Sequence, residues 1–561
     1  MFSQLLWSAA LTGLARLVQA EFGIAGDLFQ LQNTASVNNA KLSWAIVNGA
    51  NAYRVESTIG EGGSWQTLGT VPGNTFDSYN LAVGSAYTFR VTALNGETEV
   101  DKSTAVPLTP YTPLNSYLDY DNTSPSTLRR KSELLVNGVY YQYTYETQTN
   151  GSFSRFVEQT SSDGLDFSGD KTVLTSEILC APANYSCKLE RVQFRQHPSS
   201  GEFVMWAHYE RSQDYGLGWV AVAHIKPGAS SMTFAGAFAP NGDDSRDMAF
   251  FADGTDAYLV TSTNVNTNNN IYRLSSDWTK VDSFLVQVNA GGHREAPSVI
   301  KSNGWYYLFT SGASGWLPSQ PQYIAAQAMA GPWGPPTTIG STSTFGSQSG
   351  GVNEFGMGQF AMNADRWSNN WPTKGGPNRQ LMLPMGLSAQ GGFASCSFYH
   401  KAKYSEEAPA GQNVYGIQSG QILSVGKPAS SSAGAKDIAF ANDGIQTDVD
   451  ATFVPSSVPF WYQIDLQQAY NISQIDLTTK IVPGSDTFYH YNVTGSSDGK
   501  YFSLLLADMH DSVDVGFSVA FATSTEKVRY VRIYVDGIIN NVNGNEADWT
   551  VGINEVTVYG S

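Results

Sequence analysis

Charge is what this chain has least of. Only 14 % of its 561 residues are charged, against roughly a quarter in an average globular protein. Lys and Arg number 32 against 49 Asp and Glu, for a formal net charge of −17. Phosphate backbones and anionic bilayers are bound through clustered cations, so nucleic acid and membrane surfaces are excluded as partners. Cysteine is almost absent, with three in the whole chain. They form no CxxC pair, and no HExxH is present, which leaves no zinc site to expect. Beyond the first 20 residues no apolar run reaches the roughly 20 residues that cross a bilayer. What the chain has instead is 29 Tyr, 28 Phe, 13 Trp and 54 Gly. Aromatic faces among uncharged hydrogen-bonding groups suit a neutral, hydroxyl-rich ligand.

The amino terminus reads as a secretory leader over residues 1–20. An apolar run from Leu5 to Leu14 ends at Val18-Gln19-Ala20, where a small residue permits cleavage. N-x-S/T sequons at Asn122, Asn150, Asn184, Asn471 and Asn492 fit the same route. In an oxidising compartment Cys180 and Cys187, flanking a short polar loop, are expected to pair, with Cys396 a buried thiol. A secreted, extracellular monomer is expected.

The length calls for several domains, and the pattern is β throughout. Residues 21–110 alternate as short strands at Lys41–Ala45, Ala52–Thr58, Trp65–Thr70 and Ala86–Ala93, a small β-sandwich. Prolines at 107, 110 and 113 mark its end. Residues 111–405 repeat at a longer period. Turns at Asn137-Gly138, Ser200-Gly201, Asp253-Gly254, Asn303-Gly304 and 375–378 each precede an apolar or aromatic strand, at 139–143, 203–206, 257–260, 305–309 and 380–383. That spacing predicts a five-bladed β-propeller. Residues 406–420 read as a linker, and 421–561 as a second β-sandwich.

Acids recur at one phase of this repeat. Glu190 precedes Arg191, Asp247 follows Arg246, and Glu295 follows Arg294. The first strands of propeller blades line the central channel, so residues at one phase converge. An acid beside an arginine is ordinarily a surface pair of little consequence, but three at matching phase point to a shared pocket. Crowded carboxylates suit glycosidic cleavage, where one acid stays protonated to protonate the leaving oxygen and a second raises its pKa. Glu295 is the candidate acid, Asp247 the neighbour that tunes it, and Glu190 the holder of sugar hydroxyls. Trp206, Tyr209, Trp316 and Trp367 are candidate stacking faces. No catalytic cofactor is needed.

Three resemblances bear on this reading. Trp44 and the Tyr87-x-Phe89-x-Val91 alternation make residues 21–110 similar to a fibronectin type III domain. The segments Val204–His208, Arg246–Met248, Arg294–Pro297, Thr310–Trp316, Gly331–Trp333 and Thr344–Ser349 resemble glycoside hydrolase family 43, in its exo-β-1,3-galactanase branch. The likeness implies an inverting exo-enzyme with Glu295 as acid, Asp247 as pKa modulator and Glu190 as substrate orienter. It implies Gln348 as the group that positions water, since Arg130-Lys131-Ser132 stands where other members carry an Asp base. Asp119 or Asp121 would be a displaced base. Asn264 and Glu146 match sugar-contacting positions, while the branch's H-G-G segment is missing. Phe460–Leu466 and Ile553–Gly560 resemble a discoidin-type, family 32 carbohydrate-binding module. That likeness implies a structural calcium ion near Asp443 and Glu555. The expected protein is a secreted exo-galactanase acting on polysaccharide or glycoprotein glycans. A furanosidase on the same machinery, or a non-catalytic polysaccharide-binding propeller, is the alternative.

Overall fold

The computed structural model describes residues 31–561 apart from 36–38, 61, 113–116, 125–130, 356–357, 372–377, 389–390, 406, 410–411, 485 and 510–513. The expected leader, Arg130 and most of the 375–378 turn lie outside the described residues.

The first domain is a two-sheet sandwich. One sheet holds Leu31–Ala35, Ala40–Trp44 and Thr75–Ser78; the other holds Gln66–Val71, Ala52–Ile59, Tyr87–Asn95, Thr98–Lys102 and Val106–Leu108. Alternation drives it: Phe89, Val91 and Ala93 face inward from one strand and meet Trp44, whose ring lies 5.4 Å from that of Tyr53.

The middle of the chain forms five successive four-stranded antiparallel sheets, each a simple meander, the arrangement of a β-propeller. They open with Leu135–Val136, Cys187–Gln196, Met248–Asp253, Arg294–Ser302 and Gln348–Glu354. The opening strands of the second to fifth sheets pack against one another in sequence, which brings their starts to one place. Turn phase locates the second strand in the first four sheets. In the fifth it does not: 380–383 belongs to the third strand, Arg379–Leu387, and the second is Phe360–Arg366. Asn363, Asp365 and Arg366 hide that strand's apolar alternation.

The span expected as a linker, 406–420, carries the strand Val414–Ile417. It pairs with Lys401–Tyr404, which pairs in turn with Leu118–Asp121. This small sheet joins the two ends of the propeller. Asp119 and Asp121 sit in it and correct the idea of a displaced base: Asp119 pairs with Lys403, and Asp121 Oδ1 accepts from the Thr123 backbone and hydroxyl at 2.9 and 2.6 Å.

The last domain is a β-sandwich whose 20-residue strand Phe460–Thr479 serves two sheets. Its first part pairs with Lys527–Asn540 and its second with Ile553–Gly560, the register shifting between Asp465 and Tyr470. Cys180 and Cys187 form a disulfide, and Cys396 is buried and free. Among the described residues no helix is long and apolar enough to cross a membrane.

Of the sequons, Asn150 and Asn184 are exposed and Asn471 and Asn492 half-buried. Asn122 is a correction. It is 4 % exposed; its Nδ2 donates to the carbonyls of Met382 and Tyr399, and its Oδ1 accepts from Met382 N at 2.8 Å. A glycan on Nδ2 would break this clamp between the lead-in segment and the fifth sheet. Peptide mass spectrometry of protein made through a eukaryotic secretory pathway is expected to find glycan at Asn150 and Asn184 and none at Asn122. Asn122→Ala strands three backbone groups and is expected to cost at least about 2 kcal/mol in a denaturation measurement.

Candidate active site

The site is built at the starts of the first strands of the second to fifth sheets. Glu190 lies near the start of Cys187–Gln196, Asp247 immediately before Met248–Asp253, Glu295 second in Arg294–Ser302, and Gln348 first in Gln348–Glu354. In three of these strands the register breaks just past the functional residue: between Glu190 and Gln193, Glu295 and Ser298, and Ser349 and Gly351. Arg191 and Ala296 adopt φ of 54° and 50° at these bulges. A left-handed non-glycine residue costs on the order of 1 kcal/mol. The bulges redirect the side chains before them toward the channel.

Glu295 is the centre of the cluster. Its Oε1 accepts from Gln348 Nε2 at 3.0 Å and its Oε2 from Asn266 Nδ2 at 3.2 Å. The other Gln348 amide hydrogen goes to Ser314 Oγ at 3.0 Å. Asp247 is fixed beside it, its Oδ2 accepting from Ala296 N at 2.9 Å. Burial pushes the Glu295 carboxyl up, the Asp247 charge pushes it further, and together they carry it to about 7 despite the opposing Gln348 bond and Arg191 charge.

Glu190 is tuned the other way. Burial alone would raise its carboxyl, but hydrogen bonds from His208 and from Tyr215, the latter at 2.6 Å, outweigh that and hold it low. His208, 2 % exposed, sits between Glu190 Oε2 at 3.2 Å and Glu210 Oε1 at 3.1 Å. Burial favours the neutral ring, yet the two carboxylates prevail and raise its pKa. Glu210 is held in turn by Arg246 Nη1 at 2.7 Å and by the backbone of Leu217 and Gly218. Ligand atoms of Glu190, His208 and Asp247 lie within 4.8 Å of one another. His208 Nδ1 faces Glu190 and its Nε2 faces Glu210, so the ring bridges two carboxylates, with Asp247 close beside.

The arginines next to these acids do not pair with their sequence neighbours. Arg191 reaches across the channel to the carbonyls of Gly350 at 2.7 Å and Pro297 at 3.4 Å. Arg294, 6 % exposed, donates to the Thr310 hydroxyl and to the carbonyls of Thr310 and Gln320. Arg191 ties its sheet to the fourth and fifth, Arg294 braces its own sheet, and both leave the acids to the pocket.

The expected stacking faces divide. Trp316 is 49 % exposed, its ring 5.9 Å from that of Trp367, and it lies two residues from Ser314. Trp206 and Tyr209 are fully buried in the core. Trp206 Nε1 donates to the Trp278 carbonyl and Tyr209 OH to that of Leu179, so neither offers a ring to sugar. Their strand, Phe203–Arg211, is buried on both faces. Glu146 also departs from expectation: it is exposed and forked by Arg155 at 2.7 and 2.8 Å, with no bond to the cluster among the described residues. Asn264 is displaced too. Its backbone N binds Asp244, and Asn266, two residues on, supplies the contact to Glu295.

Sequence reading missed Asn266, Ser314, Tyr215, the His208–Glu210 pair and Asp365. His208 and Glu210 carry a faint signal, since they alternate on one strand and so share a face. Asp365 is the Cα partner of Gln348 and takes Gln380 Nε2 at 3.1 Å; burial raises its carboxyl, opposed by that bond and by Arg191.

The arrangement defines an all-β propeller with a desolvated, differentially ionised carboxylate cluster at its channel. Residues 427–551 match the F5/8 type C domain family. Among solved structures the chain is similar to an exo-β-1,3-galactanase from Clostridium thermocellum, at 22 % identity over 74 % of this chain and 99 % of that one, TM-score 0.47. It is likewise similar to an exo-β-1,3-galactanase from Phanerochaete chrysosporium with β-1,3-galactotriose, at 20 % identity over 79 % of this chain and all of that one, TM-score 0.48. No curated protein sequence matches the chain. At such identities these likenesses assign no activity.

The pKa of Glu295 sets a test. If Glu295 acts as an acid it is competent below about pH 7, so kcat/KM on a glycoside substrate falls as pH rises through that value. Asp247→Asn removes the charge that helps keep the proton on. The alkaline limb is then expected to move to lower pH, read from the pH profile of kcat/KM; an unmoved limb contradicts the assigned coupling.

Proposed function

We propose that this protein is a secreted glycoside hydrolase that cleaves galactose from the non-reducing ends of β-1,3-galactan chains, with inversion. The observation that carries the hydrolase reading is Glu295, a carboxyl raised to about 7 by burial and by Asp247 and open to a channel lined by an ionised partner. Glu295 gives its proton to the glycosidic oxygen as the bond to the anomeric carbon breaks. Water attacks that carbon from the opposite face and sheds its proton to solvent. Glu190, held ionised by His208 and Tyr215, supplies negative potential to the oxocarbenium-like transition state and accepts from sugar hydroxyls.

Gln348 donates directly to Glu295 at 3.0 Å, far inside the roughly 6.5–9.5 Å that separates acid and base in inverting enzymes. Substrate has to part the two, which frees the amide to orient water. A neutral amide is a weak base, so its role here is orientation. The galactan preference rests on the resemblance of Thr310–Trp316 and Thr344–Ser349 to the galactanase branch. Product release from β-1,3-galactan and a furanoside panel tests the reading. Galactose is expected from galactan alone, with Glu295→Gln lowering kcat by roughly 10²–10⁴. Release only from a furanoside would overturn the substrate, and no release from any would overturn the enzyme.

We further propose that the last domain binds carbohydrate and holds a calcium ion. Glu555 is fully buried; its Oε2 accepts from Gly444 N at 3.1 Å and its Oε1 has no partner. Asp443 is 8 % exposed; burial and the charge of Asp448 help push its carboxyl up to about 7. Two buried carboxylates with an orphaned oxygen fit a hard divalent cation. Asp443 and Glu555 would be its ligands, and its chemistry there is structural. Chelation with EDTA is expected to lower the Tm by several degrees, restored by Ca²⁺ and not by Mg²⁺; an unchanged Tm rejects the ion.

A further inference from the structure

Both loops that shape the pocket wall are held from behind by the C-terminal domain. Gln348 follows the turn Thr344–Ser347, and Ser314 and Trp316 lie in the loop after Trp305–Gly312. Neither segment is a strand; Arg366 of the fifth sheet and a bond from Ala313 N to the His293 carbonyl anchor them locally, and the last domain backs both.

Three struts connect them to the last domain. Arg366, 4 % exposed, donates Nε to the Gly346 carbonyl and Nη2 to that of Phe345, while its Nη1 reaches Asp514 Oδ1 at 3.1 Å. The same turn is pressed against 514–516: Ser343 Oγ donates to the Gly516 carbonyl at 3.1 Å, and a Cβ at Gly346 would meet the Val515 carbonyl at 3.1 Å. The second strut is apolar. Trp371 donates Nε1 to the Trp316 carbonyl at 2.6 Å and is itself buried against Phe488 and Val515 of the last domain, with Leu317, Trp367 and Ile539 around it. The third runs through Gln320. It gives its carbonyl to Arg294, the neighbour of Glu295, and its Nε2 to the Thr447 carbonyl at 2.7 Å.

We propose that the C-terminal domain is a working part of the active site: through Asp514 and Phe488 it positions Gln348 and the Trp316 shelf on the side where the leaving group sits. This rests on the hydrolase reading. Asp514 and Phe488 are positioning residues, acting through Arg366 and Trp371. Neither meets the reacting atoms. A binding module on a free tether would bring substrate near and leave the pocket's geometry alone. Here the pocket wall itself is shared between domains, so loosening the interface perturbs turnover and leaving-group preference together.

The test uses the full-length protein with Phe488→Ala, Asp514→Asn and Asp514→Glu, and Tyr501→Ala as a control at an 84 % exposed tip of the same domain. Kinetics are read on β-1,3-galacto-oligosaccharides and on an aryl β-galactoside, whose good leaving group needs little help on the acceptor side. Phe488→Ala and Asp514→Asn are expected to lower kcat on oligosaccharides by roughly tenfold or more, given the sensitivity of rates to sub-ångström placement, with a smaller loss on the aryl glycoside. Asp514→Glu is expected to recover part of the loss, and Tyr501→Ala to behave as wild type. Hydrogen exchange over 312–320 and 344–348 is measured on the same proteins, and faster exchange is expected in the first two variants alone. Kinetics within twofold of wild type, with unchanged exchange, would overturn the inference. A wild type inactive on every glycoside would overturn the hydrolase reading instead, and exchange would then decide whether the domain braces the pocket.

Discussion

The amide of Ala296 donates to Asp247 Oδ2, and the rest of the pocket follows from that bond. It fixes a negative charge next to Glu295 in a place where water is largely excluded. Two carboxylates that close cannot both ionise cheaply, and Glu295 is the one pushed up, to about 7. Its burial and the Asp247 charge outweigh the bonds from Gln348 and from the Ser314 backbone and the charge of Arg191. The bond also explains the backbone. Ala296 N points at Asp247 only because its strand bulges there with Ala296 at φ 50°. The strain of a left-handed alanine, on the order of 1 kcal/mol, is therefore stored where the carboxylates meet.

Glu190 shows the same device with the opposite sign. Its strand bulges at Arg191 in the same way, but the relay of Arg246, Glu210, His208 and Glu190 alternates charge along its length. Each group is stabilised by the next, so the Glu190 carboxyl is held low although it is partly buried. One propeller thus holds a carboxyl pushed up and a carboxyl held low two blades apart, and the difference comes from their partners.

How much of this was legible in the sequence depended on whether the signal was periodic. Glu190, Asp247, Glu295 and Gln348 recur at one phase relative to the apolar strands, and a meander of regular length converts phase into position. Trp206 and Tyr209 failed because Phe203–Arg211 is buried on both faces. Alternation marks the solvent side only when one exists, and an interior propeller strand has none. Asn122 failed for a related reason, since a sequon is a local pattern and the Met382 and Tyr399 carbonyls that bury it arrive from some 260 residues away along the chain. The fifth sheet was misphased because Phe360–Arg366 carries Asn363, Asp365 and Arg366, whose polar side chains serve the channel and the domain interface. Function overwrote the pattern that reveals structure.

Charge also links the three domains at one junction. Lys41 of the first sandwich lies among Asp77, Asp476 of the last domain and the Tyr399 ring, 5.1 Å from its ammonium. Asp77 also takes Asn39 and Gln418, the latter at 2.7 Å. Burial pushes the Lys41 ammonium down and the Asp77 carboxyl up, and each charge opposes the shift of the other. Removing one partner from such a cluster leaves a charge out of water with nothing to balance it, which is worse than never having buried the pair. The cluster adds little net stability but disfavours any arrangement in which the domains separate. That matters for the pocket, because Arg366 and Trp371 convey the position of the last domain to Gln348 and Trp316. A strut transmits only what its far end holds still, and the buried charges at the three-way junction hold it.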